Sequence, residues 1–209
     1  MLHALLTPLA DTWFGFNVFR YITFRTGLGI ATAFFISLVA GPWLIERLRS
    51  MQIRQEIRDE GPEHHQVKAG TPTMGGVLIV GSFVLATLIW ADLRNPYVWT
   101  VLAVTMSFAA IGFFDDWIKV RARRSLGLTA RQKLALQILV GLAAGIAVRQ
   151  IAAGTGHAGA LAVPFFKSVL IPLGVLYLPF VVVVLIGASN AVNLTDGLDG
   201  LAVGAMAIA

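Results

Sequence analysis

The sequence predicts an all-α fold: a polytopic transmembrane helical bundle with five complete spans and the start of a sixth, in one integral-membrane domain over residues 1–209. The first reason is composition. Of the 209 residues 57% are hydrophobic and 13% charged, with a mean hydropathy of +0.78, whereas soluble domains carry about 25% charged residues. The second is the layout of charge-free windows: Thr26–Ile45, Ala69–Ala91, Asn95–Phe114, Leu134–Val148 and Ser168–Thr195. A helix needs about 20 apolar residues to cross the hydrocarbon core, and only the fourth window falls short. The third is that the charges collect in loops between these windows. Their net charge of +5 suits anionic lipid or phosphorylated substrates and does not by itself imply nucleic acid. There are no cysteines, which excludes a disulfide framework and thiolate chemistry.

The elements follow in order. Residues 1–25 lack the basic start of a signal peptide, and Asp11 interrupts their apolar part. Trp13, Phe14, Phe16, Phe19 and Tyr21 form an interfacial aromatic belt leading into the first span, over about residues 26–45. That span is expected to end at Gly41-Pro42-Trp43, where proline kinks it. The polar segment from Glu46 to Met74 follows, and its second half is rich in Gly, Pro and Thr. Backbone amides in such a loop, with Lys68 beside them, can cradle phosphate, although the Gly-Lys-Ser/Thr order of a P-loop is missing. His64 and His65 are adjacent and point apart on any regular element, which argues against a shared metal.

Spans over about 75–91 and 96–114 are joined by the turn Asp92-Leu93-Arg94-Asn95-Pro96, an antiparallel hairpin. The third span runs into Asp115 and Asp116. Adjacent carboxylates repel each other, and a helix C-terminus disfavours them further, so they call for a cation: Mg²⁺, the following basic cluster (Lys119, Arg121, Arg123, Arg124, Arg131, Lys133), or simply water. A solvated, arginine-paired carboxylate is the plain alternative. The fourth span, about 133–149, reaches full length if Lys133 and Arg149 snorkel. Residues 151–167 read as a loop without chemistry, and the fifth span covers about 169–188.

It leads into Asn190-Ala191-Val192-Asn193-Leu194-Thr195-Asp196-Gly197-Leu198-Asp199-Gly200, where Asn190, Asn193, Asp196 and Asp199 recur at every third position. Such a seam drifts by roughly 60° per step on a helix. Polar groups at a membrane boundary are expensive unless they bind something, and Gly197 and Gly200 open the backbone to a ligand. The plain alternative is a polar loop with two turn aspartates. The sixth span starts near residue 201.

Eleven of the sixteen lysines and arginines lie in the loops 46–74 and 115–133. The positive-inside rule puts these, and the Asn/Asp seam, in the cytoplasm, with the N-terminus periplasmic. Acids, amides and cations from three loops therefore share one face, which describes a site.

Three motifs in this order, Thr71-Pro72-Thr73-Met74-Gly75-Gly76, Asp115-Asp116 and the stretch Asn190–Ala202, resemble the polyprenyl-phosphate sugar-1-phosphate transferases. Gly61-Pro62-Glu63-His64 with Lys68, and Asn193-Leu194-Thr195-Asp196-Gly197-Leu198-Asp199-Gly200, are similar to the bacterial phospho-N-acetylmuramoyl-pentapeptide transferases. The resemblance covers nearly the whole chain from Phe16 onward. It implies Mg²⁺-dependent transfer of phospho-MurNAc-pentapeptide from UDP-MurNAc-pentapeptide to undecaprenyl phosphate. The products are lipid I and UMP, and the setting is the bacterial inner membrane during peptidoglycan synthesis.

By the same resemblance Asn193 and Asp116 hold the metal, and Asp115 orients or deprotonates the lipid phosphate. Lys119 and Lys133 hold phosphate groups. Lys68 and Asp199, with the backbone of Gly197 and Leu198, form a uridine pocket; Asp196 lines the pyrophosphate region beside Asn190. A homodimer is implied as well. A related GlcNAc-1-phosphate transferase is the nearest alternative. A secondary transporter would instead place its acids near the bilayer centre. Relatives of this kind have about ten spans, with a further essential aspartate and a histidine-rich loop in the later half. The chain is accordingly expected to be the N-terminal portion of a longer enzyme and inactive alone.

Overall fold

The computed structural model describes residues 1–50, 74–122, 126–163, 165–166 and 169–195, and of 193–195 the backbone alone. Among the described residues six α-helices carry the all-α architecture: α1 (Leu2–Leu6), α2 (Ile22–Ser50), α3 (Gly76–Trp90), α4 (Pro96–Ala122), α5 (Ala130–Ile151) and α6 (Tyr177–Thr195). Among the described residues four helical segments are long and apolar enough to cross a membrane, around α2, α4, α5 and α6. With the shorter apolar α3 they make the polytopic membrane fold that composition predicts.

Window length and helix length part company at two places. The second window, Ala69–Ala91, delivers only the 15-residue α3. Met74 ahead of it has a left-handed φ of 71°, and Ala91 behind it is extended; neither can continue a helix. The fourth window, the shortest, delivers the 22-residue α5 because the helix takes in Arg131, Gln132, Lys133 and Arg149. Charged residues with long stems are good helix formers; glycine, threonine and proline stop helices even where nothing is charged.

Two further boundaries move. The expected end at Gly41-Pro42-Trp43 is not where the first helix stops: α2 runs through Pro42 to Ser50. The fifth span was expected from Val169, but α6 begins at Tyr177. Leu170–Pro172 form a strand instead, paired antiparallel with Ala160–Ala162 inside the segment read as a plain loop. Pro172 blocks a helical hydrogen bond there. The expected start of a sixth span at 201 lies outside the described residues.

The chain divides into two units, 1–129 and 130–209. In the first, α2 and α3 are laced by polar contacts: Ser37 Oγ donates to Ser82 Oγ (3.1 Å) and Trp90 Nε1 to Thr32 Oγ1 (2.9 Å). The aromatic belt is a cluster. Phe19 stacks on Trp90 with centroids 6.1 Å apart and meets Phe24 edge-on at 5.5 Å, while Trp13 meets Phe16 edge-on at 5.4 Å. At the other end of the unit Met74 and Leu48 of α2 form a buried cluster, against which Leu44 of α2 and Val120 of α4 pack.

In the second unit α5 packs on α6 through Gly141 and Gly145, a small-xxx-small spacing that lets helix backbones approach closely. A Cβ on Gly141 would stand 3.2 Å from Val182 Cα, and one on Gly145 would stand 2.8 Å from Leu178 Cδ2. Gly141→Leu should therefore force the two helices apart, at a cost of about 1–3 kcal/mol. Thermal unfolding in detergent would show it as a lowered midpoint; an unchanged midpoint would refute the close packing.

Candidate active site

The acid pair lies two turns before the end of α4, because the helix continues through Asp115 and Asp116 to Ala122. Continuation places Lys119 one turn further on the same face, the i,i+3 and i,i+4 spacing at which side chains meet. Its Nζ is 2.7 Å from Asp115 Oδ2 and 3.1 Å from Asp116 Oδ1. One ammonium thus bridges two carboxylates and offsets one of their two charges, and its bonds to them are charge-assisted. Lys119, a member of the basic cluster that follows the acids, is therefore a partner of both.

The two acids differ in setting. Asp115 is the more buried, its side chain 14% exposed against 35% for Asp116. Beyond α4 the chain folds back, and the Leu128 backbone N–H donates to Asp115 Oδ1 at 2.8 Å. Gly127 makes that approach possible: a Cβ there would collide with Asp115 Oδ1 and its main-chain carbonyl. On the membrane side Phe113 stacks on Trp117, centroids 6.1 Å apart, which suits an interfacial depth.

In the second unit Asn190, in α6, donates from Nδ2 to Gln137 Oε1 and to the Ile186 carbonyl, both at 3.0 Å. Gln137 is 2% exposed, so this amide pair is a fixed polar clasp inside apolar surroundings. Lys133 lies one turn before Gln137 in α5, and Asn193 one turn after Asn190 in α6. The backbone thus brings both toward the same end of the α5–α6 pair.

Of the residues singled out in the sequence, Asp115, Asp116 and Lys119 meet directly, and Asn190 is locked to Gln137. Lys68, Asp196, Gly197, Leu198 and Asp199 lie outside the described residues. Sequence reasoning missed Gln137, Gly127 and Leu128. A lone glutamine in an apolar helix was a usable signal for the first; the other two depend on a chain reversal that no local pattern encodes.

Apolar helices that carry an acid–lysine cluster in one unit and an amide clasp in the other define an integral-membrane protein. The comparisons give the class: a family model for glycosyl transferase family 4 matches residues 98–209, more than half of the chain, and the chain belongs to that family. A phospho-N-acetylmuramoyl-pentapeptide-transferase signature matches residues 68–80. The phospho-N-acetylmuramoyl-pentapeptide-transferase of Desulfatibacillum aliphaticivorans is 53% identical over 212 residues, covering 100% of this chain and 58% of the relative. Those of Citrifermentans bemidjiense and Koribacter versatilis are 48% and 49% identical, with 57% and 55% of the relative covered. The chain spans a little over half the length of these curated relatives.

Proposed function

We propose that this protein takes part in transferring phospho-MurNAc-pentapeptide from UDP-MurNAc-pentapeptide to undecaprenyl phosphate, forming lipid I and releasing UMP, in the bacterial inner membrane. The observation that carries the reading is the Asp115–Asp116–Lys119 cluster, built on an apolar helix within the stretch that matches the family. Identity near 50% to relatives bearing that activity's name supports it. Acceptor and donor both bring phosphate, so the reaction gathers several anionic oxygens in one place, and cations must offset them.

The residues present fit Mg²⁺. Carboxylate oxygens are the hard donors it prefers, and one or two protein ligands suffice when substrate phosphates and water supply the rest. Asp116, the more exposed acid, would hold the ion with Asn193, and the bound cation would neutralise charge developing on the pyrophosphate. Asp115 already accepts hydrogen bonds at both oxygens, so it keeps Lys119 and the 126–128 turn in position beside the lipid phosphate. Lys119 and Lys133 bind phosphate oxygens. Lys68, Gly197, Leu198 and Asp199 read the uridine, with Asp196 and Asn190 along the pyrophosphate.

The site faces the cytoplasm in this reading, the N-terminus is periplasmic, and the enzyme is a homodimer. The decisive test is UMP release from UDP-MurNAc-pentapeptide, with and without undecaprenyl phosphate and Mg²⁺, in membranes where this gene supplies the only such activity. Release requiring all three supports the proposal. Release without the lipid acceptor, or none under any condition, overturns it.

A further inference from the structure

The first unit contains a cavity of about 560 Å³ that the proposed chemistry does not use. It lies between the start of α2 and the end of α3, so it is at the end of α4 opposite Asp115. From Pro96 to Asp115 the helix rises about 30 Å, roughly one hydrocarbon thickness. The two sites therefore belong to opposite membrane boundaries. Arg25, Gly29 and Ala33 of α2 line the cavity together with Ala86, Thr87 and Trp90 of α3. The exposed apolar residues Ile22, Ile30 and Phe83 border it as well, so it opens sideways toward lipid.

Arg25 is the unusual member. Its Nη1 reaches the Trp90 carbonyl at 3.5 Å, and its Nε is buried without a hydrogen-bond partner. A buried guanidinium nitrogen left unsatisfied is costly. Asp92 lines the cavity as well; its Oδ1 accepts the Arg94 backbone N–H at 3.1 Å and lies 3.7 Å from His3 Nδ1. The depth is that of lipid headgroups, marked by the Phe19–Trp90 stack. Below Arg25 the groove floor is made of small residues: from Arg25 to Ala33 it runs about 12 Å, close to the depth of one leaflet's hydrocarbon.

We propose that this groove is a binding site for one anionic phospholipid. Its headgroup phosphate is held by the Arg25 guanidinium, and one acyl chain lies along Gly29, Ala33 and Ala86. A guanidinium matches phosphate by geometry as well as charge. The chain fills a channel that bulkier residues would close.

The test is native mass spectrometry of the full chain from detergent, titrated with phosphatidylglycerol and with phosphatidylcholine of the same acyl chains. The wild type should retain one phosphatidylglycerol, preferred by about tenfold or more. Arg25→Gln should bring the two lipids level, whereas Arg20→Gln, which removes the partner of Asp11, should change nothing. Gly29→Leu should expel both lipids without lowering thermal stability, because a Cβ at Gly29 meets nothing within 4 Å. That variant also decides the matter if Arg25→Gln does not fold. Equal binding of the two lipids by the wild type overturns the proposal, as does a preference that survives Arg25→Gln. Lipid retained in Gly29→Leu overturns it too. So does a loss of dimer in that variant with lipid retained, which would assign the groove to a second copy of the chain.

Discussion

Asn at position 116 should lower turnover by about 10²-fold or more, and Asn at 115 by a similar factor, while both variants still insert and fold. The scale is that of a lost electrostatic or acid–base contribution. Asn keeps the shape of Asp and one acceptor oxygen, so Leu128 can still donate to position 115, and what disappears is charge. Lys119 then faces one carboxylate in place of two, which shifts the ammonium toward the remaining acid and away from any phosphate they share. The measurement is lipid I formation in membranes from cells carrying each variant as the sole copy of the gene, normalised to protein present. Near-normal turnover of Asp116→Asn would reject the metal-holding role. A loss of protein rather than of turnover would mean the pair is structural.

Gly127→Ala should be almost as damaging, although the residue carries no functional group. Its added methyl would meet Asp115 at the carboxylate and at the main-chain carbonyl 2.6 Å away. Backbone cannot yield as a flexible side chain does, so the turn must move off Asp115 and the 2.8 Å bond from Leu128 must lengthen or break. Misplacing a reacting group by about 1 Å can cost about 10²-fold in rate. Because the turn is exposed on its outer side, global stability should change little. Turnover and thermal midpoint measured on the same preparation separate the two effects. Unchanged turnover would show that Leu128 does not position Asp115.

The architecture was legible because the bilayer imposes one rule on every span, and length plus absence of charge reads it directly. Where the reading slipped, backbone chemistry prevailed over hydropathy. Pro172 sits in a charge-free run yet in a strand, and Arg131 sits outside any such run yet in a helix. The acids of the site were legible for a similar reason, since charges at the edge of an apolar run need an explanation. Their lysine partner was not, because the span was expected to end before them and only the continuation of α4 to Ala122 brings Lys119 within i,i+3 and i,i+4 reach. Gly127, Leu128 and Gln137 carry no such mark. A glycine that matters because the chain returns to a residue twelve positions earlier, or a glutamine that matters because Asn190 lies on the neighbouring helix, is specified by tertiary packing alone.

The brevity of α3 has a consequence for the membrane itself. Fifteen residues rise about 22 Å, some 8 Å less than the usual hydrocarbon thickness. Its flanks are Gly75 at one end and Asp92 at the other, so the bilayer beside it must thin, or admit headgroups and water, to keep them solvated. Through the Leu48–Met74 cluster, against which Val120 packs, the dent at the Gly75 end falls near the turn of α4 that carries Lys119. A reaction between one substrate dissolved in water and another dissolved in fat is limited by where the two phases touch. Here a helix too short for its solvent draws that boundary down to the acid pair.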